Sequence, residues 1–187
     1  MPADVFAADE QSDIDVDTLR WVRLVRSVLE AEGIGGDFEV SLLFVDEKTI
    51  TDLNGRFMGK SEPTDVLAFP IDEEDRVIGR SPDAGGTGPG YSSDESIVIP
   101  NLLGDVVICP LVAKRNAALE DTSFEARVAL LVVHGILHLL GRDHEDDDDA
   151  ALMEEREREL LAQYFEPEDI DVDDAAHIPP GAGADRP

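Results

Sequence analysis

A single domain of helices and short strands packed about one buried helix is what the sequence predicts. Three observations carry this expectation. Apolar residues recur at helical spacing in several segments. Short extended segments bounded by turn formers lie between them. One helical segment, residues 128–140, is apolar on nearly every side, as a helix enclosed by its neighbours is.

The elements follow in chain order. Residues 1–17 form an acidic segment in which acids alternate with small apolar groups. Asp17 or Thr18 caps a helix carrying Leu19, Val22, Leu24, Val25, Val28 and Leu29, and Gly33 with the Gly35-Gly36 pair stops it. Residues 38–45 alternate, with Phe38, Val40, Leu42 and Phe44 on one face of a strand. Asp46 caps a short helix with Ile50, Leu53 and Phe57 on one side. Residues 66–69 read as a strand between Pro63 and Pro70. Residues 71–96 are rich in Gly, Asp, Ser and Pro and read as a mobile surface loop, after which 97–99 resume extended structure. Residues 104–109 form a strand whose unbroken apolar run requires burial on both faces. Pro110 suits the first turn of a helix reaching Leu119. The enclosed helix starts near Thr122 and ends at Gly141. A last helix spans 147–165, its acidic first turn matching the helix dipole, with Glu154 and Arg158 spaced to pair. The ordered domain is thus expected over 18–165, followed by a disordered acidic tail, 166–187.

Bulk properties narrow the function. A hydrophobic share of 42% is enough for a core, and the formal net charge of −28, from 43 acidic and 15 basic residues, argues against adhesion to anionic membrane or bare nucleic acid. The single cysteine, Cys109, rules out a disulfide framework and a multi-cysteine zinc site within the chain. It reads as a small core residue. The first residues lack the basic-then-apolar layout of a secretory signal, and residues 128–140 fall short of the roughly 20 apolar residues of a spanning helix. A cytoplasmic protein with no membrane partner is expected.

The chemistry concentrates between His134 and His144. The chain has four histidines, and three of them, His134, His138 and His144, fall in this one stretch. His134 and His138 are one helical turn apart on one face, able to share an ion. Gly141 lets the chain turn back, and His144 can supply a third ligand. Three protein ligands leave a position for water, the arrangement of a catalytic zinc site. The plain alternative is that each is an ordinary core histidine and the spacing coincidence. Against it, two polar rings interrupt an apolar helix, where an unsatisfied polar group costs about 1–3 kcal/mol. The spacing equals that of metzincin proteases, but those place a glutamate general base directly after the first histidine. Here that residue is Gly135, which cannot move a proton, so peptide hydrolysis by that route is not expected.

The run from His134 to His144 (HGILHLLGRDH), with Leu103-Gly104-Asp105-Val106-Val107-Ile108 and Pro63-Thr64-Asp65-Val66-Leu67-Ala68-Phe69-Pro70 upstream, resembles the YbeY family of bacterial endoribonucleases. Leu53-Asn54 and Met153-Glu154 also fall where that pattern places them, so the resemblance covers about residues 40–164. It implies an α+β fold with a small mixed β-sheet packed with helices around a buried histidine-bearing central helix. It also implies one divalent metal ion of the zinc type, cleavage of single-stranded RNA, maturation of the 3′ end of small-subunit ribosomal RNA, and ribosome quality control. The family's metal ligands carry over to His134, His138 and His144. Two positions depart from the pattern. Met58 stands where the family often has an arginine, and Arg142 where it often has tyrosine.

Arg56 is the candidate to take the arginine's place, since a guanidinium matches phosphate in a two-pronged way. It reads equally as a surface arginine. Asp105 and Asp143 are candidates to orient a ligand imidazole from behind, though capping and turn roles suit both. Thr64 and Asp65 read as turn formers, Asp146 to Asp149 as a solvated helix start, and His177 has no assigned role. RNA binding leans on phosphate neutralisation, and local bases at 20–26, 56–60 and 114–115 would form a positive cleft inside a negative shell. Weak unaided RNA affinity is therefore expected, with ribosomal RNA, the ribosome or a ribosome-associated protein supplying placement. Two other readings remain open: a metal-dependent hydrolase of another class (peptidase or small phosphodiester hydrolase), and a non-catalytic ribosome-assembly factor with a structural metal.

Overall fold

The computed structural model describes residues 2–71, 101–142 and 146–166. Its elements run β1 (Asp4–Asp9), α1 (Thr18–Ala31), β2 (Phe38–Phe44), α2 (Glu47–Met58), β3 (Val66–Pro70), β4 (Asn101–Ile108), α3 (Pro110–Leu119), α4 (Phe124–Leu139) and α5 (Asp147–Tyr164). The architecture is α+β, with a mixed four-stranded sheet in the order β1-β2-β4-β3. β1 and β4 both run parallel to β2, while β3 is antiparallel to β4.

Local chemistry sets most boundaries. Asp17, Asp46, Ser123 and Asp146 each accept a backbone N–H of the first turn with their side chains, satisfying a donor that the helix leaves open. Pro110 opens α3, where its missing N–H costs nothing. Gly59 and Gly141 take left-handed backbone at φ +67° and +82° to end α2 and α4.

The sheet is covered on both faces. Val40, Leu42, Phe44, Val106 and Ile108 pack with Leu24, Val25 and Val28 of α1 and with Val132, Val133, Ile136 and Leu137 of α4. Leu67 and Val107 face the other way, against Val45, Ile50, Cys109 and Val112. The unbroken apolar run of β4 thus has the two-sided burial that its composition implied. α4 contacts α1, α3, α5, β3 and β4, which is why no polar face survives along most of its length.

Several expectations shift. The acidic N-terminal segment contributes β1, which adds to the sheet edge through parallel backbone bonds to β2. Its half-apolar pattern was too weak to show this, because an edge strand needs only one partner and little burial. β4 begins at Asn101, three residues before the expected start at Gly104, and α4 begins at Phe124 rather than near Thr122, since Ser123 is the cap. Glu154 and Arg158 form no pair; Arg156 instead holds Glu159 and Glu32. Most of the 71–96 loop, the 97–99 segment and the tail beyond 166 lie outside the described residues.

Candidate active site

α4 exposes one narrow stripe. From residue 128 to its end, Leu130, His134 and His138 are half-buried while the other residues of the helix are buried. The two histidines open onto a cleft of about 600 Å³ together with Asn54, Met58, Lys60, Glu62, Pro63, Thr64, Val66, Leu67, Ala68 and Gly135. The floor of the cleft is therefore α4 and β3. Its wall is the end of α2 and the segment joining α2 to β3.

The imidazoles converge. Nε2 of His138 lies 3.1 Å from Nε2 of His134, with the ring planes at 75°. Two nitrogens bonded to one ion at about 2.0–2.1 Å must lie roughly 3 Å apart. The pair therefore fits a shared cation. On the other side of His134, Nδ1 is 2.6 Å from Oε1 of Glu157. The Glu157 side chain is only 9% exposed. A carboxylate accepts, so Nδ1 carries the proton and Nε2 presents its lone pair toward His138.

α4 ends immediately after this pair. The N–H of Gly141 donates to the carbonyl of His138, and the N–H of Arg142 to that of Leu137. These two bonds form a Schellman turn that reverses the chain at the site. Arg142 Nη2 then reaches Glu32 at 2.8 Å, and Arg156 of α5 reaches the same carboxylate at 2.7 Å. Burial pushes the Glu32 pKa up, but hydrogen bonds from Arg156 and Arg142 outweigh it and hold the carboxyl below its ordinary value.

The remaining predicted residues separate. His144 and Asp143 lie outside the described residues. Arg56 is exposed on the last turn of α2 and does not line the cleft; among the described residues, Lys60, just past the helix end, is the Lys or Arg that does. Asp105 faces away from α4, because its neighbours Gly104 and Val106 are the residues that meet α4. The carboxylate that stands against the His134 imidazole is that of Glu157. A trace of this was present in the sequence: Glu157 occupies the helical stripe of Met153 and Leu160, both buried, where an acid is out of place without a partner.

Asp65, which reads as a turn former, and Asn54 brace the cleft. The Asp65 carboxylate accepts from Arg127 Nε and Nη2, at 2.9 and 2.6 Å, and from Asn116 Nδ2 at 2.9 Å. This ties the start of β3 to α3 and α4. Buried Asn54 donates through Nδ2 to the carbonyl of Glu62 at 2.7 Å, fixing the wall segment. Gly135 has a packing reason as well as a chemical consequence. A Cβ there would come within 2.6 Å of Val106 Cγ1, so a glutamate at this position could not coexist with α4 lying this close to β4.

The family model for endoribonuclease YbeY matches residues 6–165. The chain belongs to the endoribonuclease YbeY family. Among its YbeY relatives, that of Frankia casuarinae is 41% identical over 86% of this chain and 74% of its own length. That of Thermobifida fusca is 42% identical, covering 82% of this chain and 90% of its own. The solution structure of TM1509 from Thermotoga maritima superposes with a TM-score of 0.54 at 27% identity, over 86% of this chain and 89% of that one. The YbeY match begins within β1, in agreement with that strand being part of the domain.

Proposed function

We propose that this chain is a metal-dependent, single-strand-specific endoribonuclease that matures the 3′ end of small-subunit ribosomal RNA and serves ribosome quality control. The name shared by its relatives supports the nuclease activity. The observation that carries the site assignment is the 3.1 Å approach of the His134 and His138 Nε2 atoms at the floor of an open cleft.

His134 and His138 would hold a zinc-type divalent cation, with His144 as third ligand, the latter supported by the chain reversal at Gly141 and Arg142. When bound, such a cation polarises a phosphoryl oxygen and lowers the pKa of bound water to about 7. The chain's own residues do the rest. Lys60 offers an ammonium to substrate phosphate from the cleft wall, taking the part first given to Arg56. Glu62 beside it limits the attraction for polyanions. Asn54 is committed to the wall backbone and holds the wall in place rather than contacting substrate. With a net charge of −28, placement on the ribosome by RNA structure or a ribosome-associated protein is part of the proposal. So is a cytoplasmic location, and among the described residues no single helix is long and apolar enough to cross a membrane.

The test is cleavage of single-stranded and duplex ribosomal RNA fragments by the purified chain and by His138→Ala, with metal content measured on both. The expected result is cleavage of the single strand alone, with metal and activity lost together in the variant. A variant that keeps full cleavage, or a wild type that retains metal without cutting RNA, would falsify the assignment.

A further inference from the structure

We infer that Glu157 is a positioning residue for the ion, acting through His134; the inference rests on the metal reading above. Glu157 sits on α5, on the side of His134 opposite the cleft. Its side chain is 9% exposed, and His134 is its partner among the described residues, with no arginine or lysine paired to it. A carboxylate so far from water is costly unless positive charge or strong donors compensate it. One neutral imidazole N–H is a small return for that cost. A cation on the far side of the same ring supplies the missing charge, conducted through an imidazole whose Nδ1 proton is locked toward the carboxylate.

The geometry also assigns a direction. With Nδ1–H given to Glu157, the lone pair of His134 is confined to Nε2, the atom 3.1 Å from His138 Nε2. Without Glu157, the proton is free to move to Nε2, where it would face the second imidazole and block the shared site. Nothing in the chemistry requires the carboxylate to touch substrate. Met153 and Leu160, one turn away on either side, are buried, so the face of α5 that carries Glu157 is turned to the core.

The experiment uses the full chain, stripped of metal, in three forms: wild type, Glu157→Gln and Glu157→Ala. Cobalt(II) is titrated against a competing chelator and followed by its visible absorption. The tautomer of His134 is read in the metal-free chain by nitrogen-15 NMR. Glutamine keeps an acceptor for Nδ1–H but not the charge, and it fits the same space, so it guards against a variant that simply fails to fold. The expected result is a loss of roughly 10–100-fold in cobalt affinity for the alanine variant, a smaller loss for glutamine, and a shift of the His134 proton toward Nε2 in the alanine variant only. If wild type binds cobalt and both variants bind it as tightly with an unchanged tautomer, the inference is overturned while the metal reading stands. If wild type binds no cobalt at His134 and His138, the metal reading itself fails and takes this inference with it.

Discussion

Two cations near the end of α2 differ in what they can do, and the difference is one of placement rather than charge. Lys60 lines the cleft; Arg56 projects into solvent from the last helical turn. A phosphate group entering the site meets the first and not the second. Lys60→Ala is therefore expected to raise KM for a single-stranded RNA substrate and to flatten its salt dependence by about one charge. Arg56→Ala should leave both near wild type. Steady-state cleavage at several salt concentrations separates the two, and equal effects of the variants would return Arg56 to the site. The carboxylate on His134 has the same lesson at closer range. Asp105 and Glu157 are both acids on elements adjoining α4, but only Glu157 lies on the side from which Nδ1 can be reached.

Among the elements, α4 carries the site because its packing allows the close approach of a helix to a strand. Gly135 supplies that approach against Val106. The same residue lies between His134 and His138 along α4 and lines the cleft. Gly135→Ala is expected to destabilise the fold by about 1–3 kcal/mol through overpacking, despite the better helix propensity of alanine. Urea unfolding measures this directly. A variant as stable as wild type would mean that α4 lifts from β4 without penalty, and that the position of His134 is not set by this contact. β3 is held to the same helix by a different means. The Asp65 carboxylate collects three donors from Arg127 and Asn116, so the strand that floors the cleft is pinned at its start by charge as well as by the apolar contacts of Val66 and Ala68.

Over the whole molecule, a long-range clamp joins α1 to the end of α4 and to α5. Glu32, at the end of α1, binds Arg142 just past α4 and Arg156 on α5, with its side chain 8% exposed. Its carboxyl lies below the ordinary glutamate value in the folded state. The folded chain therefore holds this proton less tightly than the unfolded chain. The stabilisation is complete above the ordinary glutamate range and is lost as pH falls through the lowered folded-state value. The overall charge acts in the opposite sense. At a net −28, mild acid relieves self-repulsion before any clamp is lost. Thermal unfolding of wild type and Glu32→Gln across pH isolates the clamp. The wild-type advantage should be constant near neutrality and shrink toward acid. An advantage that does not change with pH would remove the ionised carboxylate from the account.

What the sequence determined by itself was whatever rests on neighbours along the chain. The helix cap at Asp46, the glycine stop at Gly141, the apolar run of β4 and the one-turn spacing of His134 and His138 are local patterns. The residues that create them lie within a turn or two of each other. Three things depended on the tertiary structure: β1 as an edge strand, Glu157 behind His134, and Lys60 rather than Arg56 in the cleft. Each is a relation between elements distant in sequence. A hydrogen bond, a contact or a shared wall exists only once the chain brings both partners together, and neither partner's residue type announces which way it will face.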